Sequence, residues 1–247
     1  NQTGVGMLPG ELHSVFARPA VGKSWYALKV AAVSLIAGYK TILISSEMPS
    51  NQLSMRLDVL MGNMLGYTFS HNALRTGLPI DEDQYKEFLA KTKNKNLPIC
   101  THMNNSAITL SAITSWVRKY SPSLIIIDGA ELIDAEAENG AAWDRLNKLF
   151  YGIKQLCISY NISAFVSTQA NRGASDLFKP PRPTDVANGD GLLRASDVAM
   201  SLCRVEDDNK RLQVHFQKMR DGVFTTSYVL LEFDVDIGLV KEVNVTV

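Results

Sequence analysis

The sequence predicts an α/β fold: a mostly parallel β-sheet, flanked by helices, that ends in an antiparallel hairpin. Strand-like and helix-like segments alternate along the 247 residues, an order that places helices on both faces of parallel strands. Residues 124–127 form a continuous aliphatic run, as expected for a strand buried on both faces. Near the end, residues 212–218 and 224–233 flank the turn dipeptide Asp221-Gly222, which favours a hairpin. Because no linker-like stretch separates two cores, we expect a single domain over residues 1–247.

The individual elements follow from local sequence patterns. The predicted strands before the hairpin cover residues 12–16, 41–45, 97–101, 124–127, 162–167 and 197–204. The predicted helices cover residues 25–37, 50–64, 81–93, 110–120 and 143–160. The last of these is the clearest, because its apolar residues recur every three or four positions. Thr109 is the expected N-cap of the helix that follows it, and residues 66–80, 129–142 and 171–191 are expected to be loops.

Composition and charge exclude several function classes. Lys+Arg and Asp+Glu each number 25, so the net charge is zero and only a local basic patch could attract nucleic acid. Cys100, Cys157 and Cys203 are too far apart for a zinc knuckle, which indicates core thiols of a reducing compartment. No apolar run approaches the roughly 20 residues that span a membrane, and no signal peptide is visible. We therefore expect a cytoplasmic protein with no membrane partner. The start at Asn1 is consistent with a piece of a longer chain.

The segment 17–24 fits the phosphate-loop pattern G-x-x-x-x-G-K-[ST], except that Ala17 stands where the first glycine is usual. In such a loop Gly22 lets the backbone approach the phosphates, Lys23 meets the β- and γ-phosphates, and Ser24 offers a hydroxyl to Mg²⁺. The loop follows a predicted strand and opens a predicted helix, whose N-terminus would also face the phosphates. We therefore expect ATP and Mg²⁺ to bind at these residues: Ala17, Arg18, Pro19, Ala20, Val21, Gly22, Lys23, Ser24 and Trp25.

Three more predicted strand ends carry residues that nucleotide hydrolysis requires. Glu47 follows the second strand, Asp128 ends the aliphatic strand, and Gln169 follows the strand after it. Parallel strands bring such ends to one edge of the sheet. Each residue alone is ambiguous, since Glu47 could cap the next helix and Gln169 could be an ordinary loop amide. Their joint appearance predicts a P-loop ATPase with Glu47 as base, Asp128 at the metal and Gln169 as sensor.

These residues together resemble the DnaB-type replicative helicases. The likeness covers about residues 10–233 and implies a RecA-like ATPase fold without the family's N-terminal domain. Five segments carry it in the family's order: the phosphate loop with its Ala-Arg-Pro start (17–24), the catalytic-glutamate segment (46–49), the Mg²⁺ strand (124–128), the sensor motif (167–172) and the Lys-x-Arg hairpin (217–222).

The resemblance implies a role for each of these residues. Glu47 would polarise the attacking water, Asp128 would support the metal, and Gln169 would contact the γ-phosphate. Lys218 and Arg220 would complete the active site of the neighbouring subunit, so the resemblance implies a homo-hexamer with its active sites at subunit interfaces. The sequence pattern alone would instead make Lys218 and Arg220 solvated charges at an exposed hairpin end.

The resemblance also implies single-stranded DNA as a partner, bound by loops after Asp128 and after Gln169. The first loop holds several acidic residues and no Lys or Arg, so we expect it to repel phosphate unless it points away. In and after the second loop, the candidate DNA-binding residues are Arg172, Lys179, Arg182 and Arg194. Ala187 stands where the family often has an arginine that touches DNA, and the four basic residues could instead be merely solvated.

Three function classes therefore remain open from the sequence. The first is the motor domain of a hexameric helicase that translocates on single-stranded DNA, with a primase or a helicase loader as further candidate partners. The second is a RecA-like ATPase of recombination or assembly that does not unwind DNA. The third is a ring component that binds nucleotide but not DNA, for which the acidic first loop is the main support.

Overall fold

The computed structural model describes residues 6–95, 97–101, 107–136, 142–170, 176–186, 189–222 and 228–243, with the backbone alone for 142–144 and 189–190. Across these residues the strands form one sheet of nine members, in the spatial order β3-β2-β4-β5-β1-β6-β7-β8-β9. They are β1 (Leu12–Ala17), β2 (Thr41–Ser45), β3 (Ile99–Cys100), β4 (Leu124–Asp128), β5 (Ser163–Gln169), β6 (Val198–Val205), β7 (Asp208–Met219), β8 (Tyr228–Asp234) and β9 (Leu239–Glu242).

The sheet changes from parallel to antiparallel at β6. All pairs from β3 to β6 are parallel, whereas β7, β8 and β9 add antiparallel strands at one side. Ser45 is paired with Asp128 and Ala17 with Gln169, so the carboxyl ends of β2 and β4 are level with each other, and so are those of β1 and β5. This register brings the predicted chemical residues to one edge of the sheet, as expected for parallel strands.

Helices cover both faces of the parallel part. They are α1 (Lys23–Ile36), α2 (Ser50–Met64), α3 (His71–Thr76), α4 (Glu82–Thr92), α5 (Leu110–Tyr120), α6 (Ala142–Tyr160) and α7 (Gly189–Ala195). Buried residues of α1, α2 and α4 form one core cluster, and those of α5, α6 and α7 form the other. Ile126 of β4 belongs to the first cluster, while Ile125 and Ile127 belong to the second. The aliphatic run is continuous because successive side chains of a strand point to opposite faces.

The predicted fold class is confirmed, and three elements were missed. These are α3, α7 and β9, of which α3 and part of α7 lie in stretches predicted as loops. The predicted hairpin is present, since His215 of β7 is paired with Tyr228 of β8. The antiparallel part is larger than predicted, because β7 also pairs with β6 on its other side. Thr109 is confirmed as the N-cap of α5, where its side chain accepts a hydrogen bond from the Ala112 N–H.

The three cysteines are buried and unpaired, as predicted. Among the described helices, none combines the length and the apolar character that crossing a bilayer requires.

Candidate active site

The phosphate loop connects β1 to α1 and leaves the N-terminus of that helix without a side-chain cap. Gly22 is the N-cap residue, with a φ of 126° that disfavours other residue types. A Cβ atom at Gly22 would lie 2.6 Å from the ring of Phe233 on β8, so the glycine is also required by packing. The uncapped N–H groups of a helix N-terminus attract anions, which makes this end of α1 suitable for phosphate.

A cavity of about 440 Å³ opens beside this loop, within the size range of small-ligand pockets. Its lining contains most of the predicted site residues: Arg18, Pro19, Ala20, Gly22, Lys23, Ser24, Trp25, Glu47 and Gln169. It also contains residues that the sequence did not single out: Met48, Arg56, Arg204 and Val235. The side chains of Ala17 and Val21 are buried in the core and do not line the cavity, so these two residues can serve a ligand only through their backbone.

The centre of the site is an ion pair between the start of α1 and the turn that follows β2. The Lys23 side chain is almost fully buried, and its Nζ lies 3.3 Å from Oε1 of Glu47. Ser45 orients the turn that carries Glu47, because its Oγ accepts hydrogen bonds from the N–H groups of Glu47 and Met48. Gly129 leaves room for Glu47, since a Cβ atom there would lie 2.7 Å from Glu47 Cγ. The phosphate-loop lysine and the predicted base are therefore positioned together.

Asp128 is buried at the end of β4, beside the same loop. Its Oδ1 accepts a hydrogen bond of 2.6 Å from the Ser167 hydroxyl, and Ser167 Oγ accepts one from the Gly129 N–H. Its Oδ2 is shielded from solvent and makes no well-formed hydrogen bond to any described residue. Burial raises the pKa of Asp128, while the Ser167 hydrogen bond, the Lys23 charge and the nearby Ser24 hydroxyl oppose that rise.

A free carboxylate oxygen beside a serine hydroxyl is a donor set that suits Mg²⁺. Within the described part of the chain, no group of three or more His, Cys, Asp or Glu residues could hold a metal. Mg²⁺ does not need such a group, because it is usually held by one or two carboxylates together with substrate phosphates and water. Ser24 and Asp128 therefore fit a magnesium ion that arrives with a nucleotide.

Gln169 is the last residue of β5 and lies next to the start of the phosphate loop. It is paired with Ala17, and the N–H of Ala170 donates a 2.9 Å hydrogen bond to the Ala17 carbonyl. The Gln169 side chain is exposed and lines the cavity. The chain that follows β5 is therefore hydrogen-bonded directly to the start of the phosphate loop.

Glu131 is a site residue that sequence reasoning missed. It lies in the 3-10 turn Ala130–Leu132 directly after β4, and its Oε1 is 3.8 Å from Lys23 Nζ. Burial raises the pKa of Glu131, while the positive charge of Lys23 and the nearby Thr168 hydroxyl oppose that rise. The first loop was expected to repel phosphate unless it points away, and two of its acidic side chains have partners within the chain. Glu131 faces Lys23, and Glu136 accepts hydrogen bonds from Ser111 at the start of α5.

Lys218 and Arg220 do not line the cavity of their own chain. Lys218 Nζ donates hydrogen bonds of 2.6 Å to the carbonyls of Leu193 and Ser196 at the end of α7. Arg220 Nη1 lies 2.6 Å from Oδ1 of Asp197, a carboxylate that is 8% exposed. Both basic groups are therefore anchored within the chain rather than merely solvated, and both lie beside α7.

The order of the strands, the phosphate loop and the level strand ends agree with a family match over nearly the whole chain. The sequence model of the DnaB-like helicase C terminal domain matches residues 1–238. The chain belongs to this family. Membership of this helicase family indicates that the chain uses a nucleotide.

Known proteins resemble this DnaB-like helicase domain in sequence. The replicative DNA helicase DnaB of Haemophilus influenzae is 24% identical over 235 residues, which cover 88% of this chain and 48% of that protein. The replicative DNA helicase DnaC of Bacillus subtilis is 25% identical over 252 residues, which cover 97% of this chain and 52% of that protein. The chain thus spans about half the length of the curated relatives it matches.

Solved structures resemble this member of the family in fold. One solved ATPase domain superimposes with a TM-score of 0.86 at 19% identity, over 98% of this chain and 88% of that chain. A DnaB-like replicative helicase, solved in a study of its interactions with primase, gives a TM-score of 0.82 at 19% identity. That second match covers 96% of this chain and 58% of the other chain. These likenesses confirm the predicted RecA-like ATPase fold.

The candidate DNA-binding residues of this DnaB-like domain are only partly described. Arg172 and Ala187 lie outside the described residues. Lys179 is exposed and forms an ion pair with Asp176 at 3.4 Å. Arg182 is exposed just before the 3-10 turn Pro183–Asp185, and Arg194 is exposed on α7. Their role in DNA binding stays a prediction.

Two arginines at the cavity have no sequence motif that could have revealed them. The Arg204 guanidinium lies over the Phe233 ring at 5.0 Å, and the Arg56 guanidinium lies over the Trp25 ring at the same distance. Both residues reach the cavity only through the packing of segments that are distant in sequence: α2 packs against α1, and β7 joins β6 to β8 in the sheet.

Proposed function

We propose that this chain is the motor domain of a hexameric replicative helicase, in which hydrolysis of Mg-ATP drives translocation on single-stranded DNA and unwinding of duplex. The observation that carries this proposal is the Lys23–Glu47 pair at the uncapped N-terminus of α1. This pair supports the proposal because an ammonium suited to phosphate and a carboxylate suited to act as a base for water lie together at a cavity of nucleotide size.

Four side chains at the cavity have a task in the proposed binding and hydrolysis of ATP. Lys23 meets the β- and γ-phosphates, and its burial strengthens that charge interaction. Glu47 accepts a proton from the water that attacks the γ-phosphate. Gln169, which is paired with Ala17, contacts the γ-phosphate and couples it to the loop that follows β5. The flat guanidinium of Arg204 lines the cavity and is available to stack on the base.

Ser24 and Asp128 would hold the magnesium ion. When bound, the ion supplies positive charge that neutralises the phosphates during their transfer. Ser167 keeps the Asp128 carboxylate in one orientation, which leaves Oδ2 turned away from that hydrogen bond.

Lys218 and Arg220 act on the active site of the neighbouring subunit in this proposal. Their absence from the lining of their own cavity supports this, because a group that neutralises transition-state charge must reach a cavity. An arginine supplied in this way is worth about 10³–10⁵ in rate. A ring, here a homo-hexamer, is the assembly that gives every cavity such a neighbour.

Single-stranded DNA is the proposed track, with Lys179, Arg182 and Arg194 as exposed positive charges for its phosphates. A primase or a helicase loader is proposed as a further partner, since one structural relative was solved in a study of its interactions with primase. We place the protein in the cytoplasm of a bacterial or phage-infected cell, where replication takes place.

The test is an ATPase and strand-displacement assay on the full-length protein. We expect Mg²⁺-dependent ATP hydrolysis that oligo-dT stimulates, and both activities should be lost in Lys23→Ala. ATPase without stimulation by any DNA would contradict the motor proposal and leave a RecA-like ATPase of assembly. An open filament with DNA and an ATP analogue, seen by negative stain in place of a closed ring, would favour the recombination class.

A further inference from the structure

Glu131 places a second carboxylate, with both oxygens shielded from solvent, against the phosphate-loop lysine. Lys23 Nζ is within 4 Å of two acidic side chains, at 3.3 Å from Glu47 and 3.8 Å from Glu131. In the proposed function, which this inference deepens, Glu47 has a task in the chemistry. Glu131 has no task in the chemistry, although its carboxylate lies nearly as close as that of Glu47 to Lys23, where the phosphates would bind.

A structural role does not explain Glu131. Two other buried carboxylates in this chain are hydrogen-bonded: Asp128 to the Ser167 hydroxyl, and Asp197 to the Leu12 N–H and to Lys154. Both carboxylate oxygens of Glu131 are shielded from solvent, and neither makes a well-formed hydrogen bond to a described residue. Withdrawing a charged group from water without good hydrogen bonds is costly, and the charge of Lys23 is what offsets that cost for Glu131, so the two residues have to be considered together.

We propose that Glu131 is a positioning residue that weakens the interaction of Lys23 with the phosphates and thereby promotes release of the nucleotide product. Its negative charge competes with the β- and γ-phosphates for the single ammonium. It also repels them directly, and this repulsion is strengthened because both carboxylate oxygens of Glu131 are shielded from solvent. The effect grows with the number of phosphates that reach Lys23, so ATP and ADP are affected and AMP is not.

The test compares Glu131→Gln, Glu131→Ala and Glu131→Asp with the wild-type protein at constant Mg²⁺. Calorimetry would give the Kd values of AMP, ADP and a non-hydrolysable ATP analogue. We expect Gln and Ala to tighten binding of ADP and of the analogue about tenfold, equivalent to ~1.4 kcal/mol, and to leave AMP unchanged. Asp keeps the charge and should stay near wild type. In turnover, the KM of the Gln variant should fall while kcat does not rise.

The matched control is Glu136→Gln, which removes one negative charge from the same segment at an exposed site. We expect wild-type affinities for this variant. Weaker or unchanged ADP binding in Glu131→Gln would overturn the inference, and so would an equal change for AMP, which would indicate a general structural effect. If the wild-type protein binds neither ADP nor the analogue, the proposed function itself fails.

Discussion

The Arg220 guanidinium lies 2.6 Å from the buried carboxylate of Asp197, and this ion pair connects the end of β7 to the start of β6. Asp197 also accepts hydrogen bonds from Lys154 Nζ at 2.6 Å and from the Leu12 N–H at 2.8 Å. One carboxylate thus connects β1, α6 and the hairpin that carries Arg220. Because the Arg220 side chain is still 45% exposed, this anchor leaves part of the guanidinium facing outward.

The Asp197 cluster predicts an acid-dependent loss of stability. Burial raises the pKa of Asp197, but the Lys154 and Leu12 hydrogen bonds and the charges of Lys154 and Arg220 hold it below its usual value. The folded state therefore gains stability from this ionised group above about pH 4, and loses that gain as the pH falls through the folded pKa. Asp197→Asn should lower the free energy of unfolding by about 3 kcal/mol at neutral pH.

Urea unfolding at a series of pH values measures this effect. The difference between wild type and Asp197→Asn should shrink as the pH falls below about 4. Asp83→Asn, at an exposed position on α4, serves as the control and should unfold like wild type. A difference that stays constant across the acid range would show that the carboxylate charge is not what stabilises this cluster.

Arg220→Ala should abolish most ATP hydrolysis and leave nucleotide binding intact. The expected loss is about 10³-fold or more in kcat, because in the proposed function this arginine neutralises transition-state charge in the cavity of the neighbouring subunit. Arg211→Ala, on the strand β7 that leads to Arg220 but paired with Asp208 at the surface, is the matched control and should keep wild-type kcat. Mixing Arg220→Ala with inactive Lys23→Ala subunits should restore turnover, since each variant supplies the half-site that the other lacks. An Arg220→Ala protein with full activity alone would refute the assignment.

Gly129→Ala should lower kcat through Glu47. Gly129 has a φ of 82°, and an added Cβ atom would lie 2.7 Å from Glu47 Cγ and 2.9 Å from Ser46 Oγ. The displaced base should cost about 10²-fold in kcat, while the Kd of ADP changes little. Steady-state kinetics with parallel ADP titrations measure both quantities.

Gly38→Ala is the control for backbone strain alone. Gly38 has a φ of 88°, close to that of Gly129, but an added Cβ atom there meets nothing within 4 Å. It should lose stability to a similar extent and keep its kcat. Equal loss of kcat in both variants would mean that strain, and not the position of Glu47, explains the Gly129 result.

Local patterns predicted the elements whose stability comes from local causes. The aliphatic run predicts β4 and the periodic apolar stripe predicts α6, and both elements lie close to their predicted bounds. By contrast, α3 has six residues and depends on Asp236, which accepts hydrogen bonds from Ser70 and from the Asn72 N–H more than 160 residues away. A helix held by so distant a partner leaves no periodic signal in its own sequence.

The site shows the same contrast between features that local sequence predicts and features that depend on distant partners. The residues at four strand ends could be predicted because parallel strands bring their ends to one edge of a sheet. Glu131 was expected only as part of an acidic loop, since the 3-10 turn that aims it at Lys23 has no distinctive sequence. Asp197 was included in a predicted strand, and its role depends on Lys154 and Arg220 from separate elements. The spacing of residues in the sequence does not show which side chains from separate elements come into contact.

The most direct test of the account is ATP turnover by Glu47→Gln in the presence of oligo-dT. The substitution keeps the shape of the side chain and removes the base, so kcat should fall about 10²–10⁴-fold. The Kd of a non-hydrolysable ATP analogue should stay close to the wild-type value. Glu82→Gln, on the exposed face of α4, should keep wild-type kcat. Turnover by Glu47→Gln at the wild-type rate would contradict the claim that this sheet edge is the site of ATP hydrolysis.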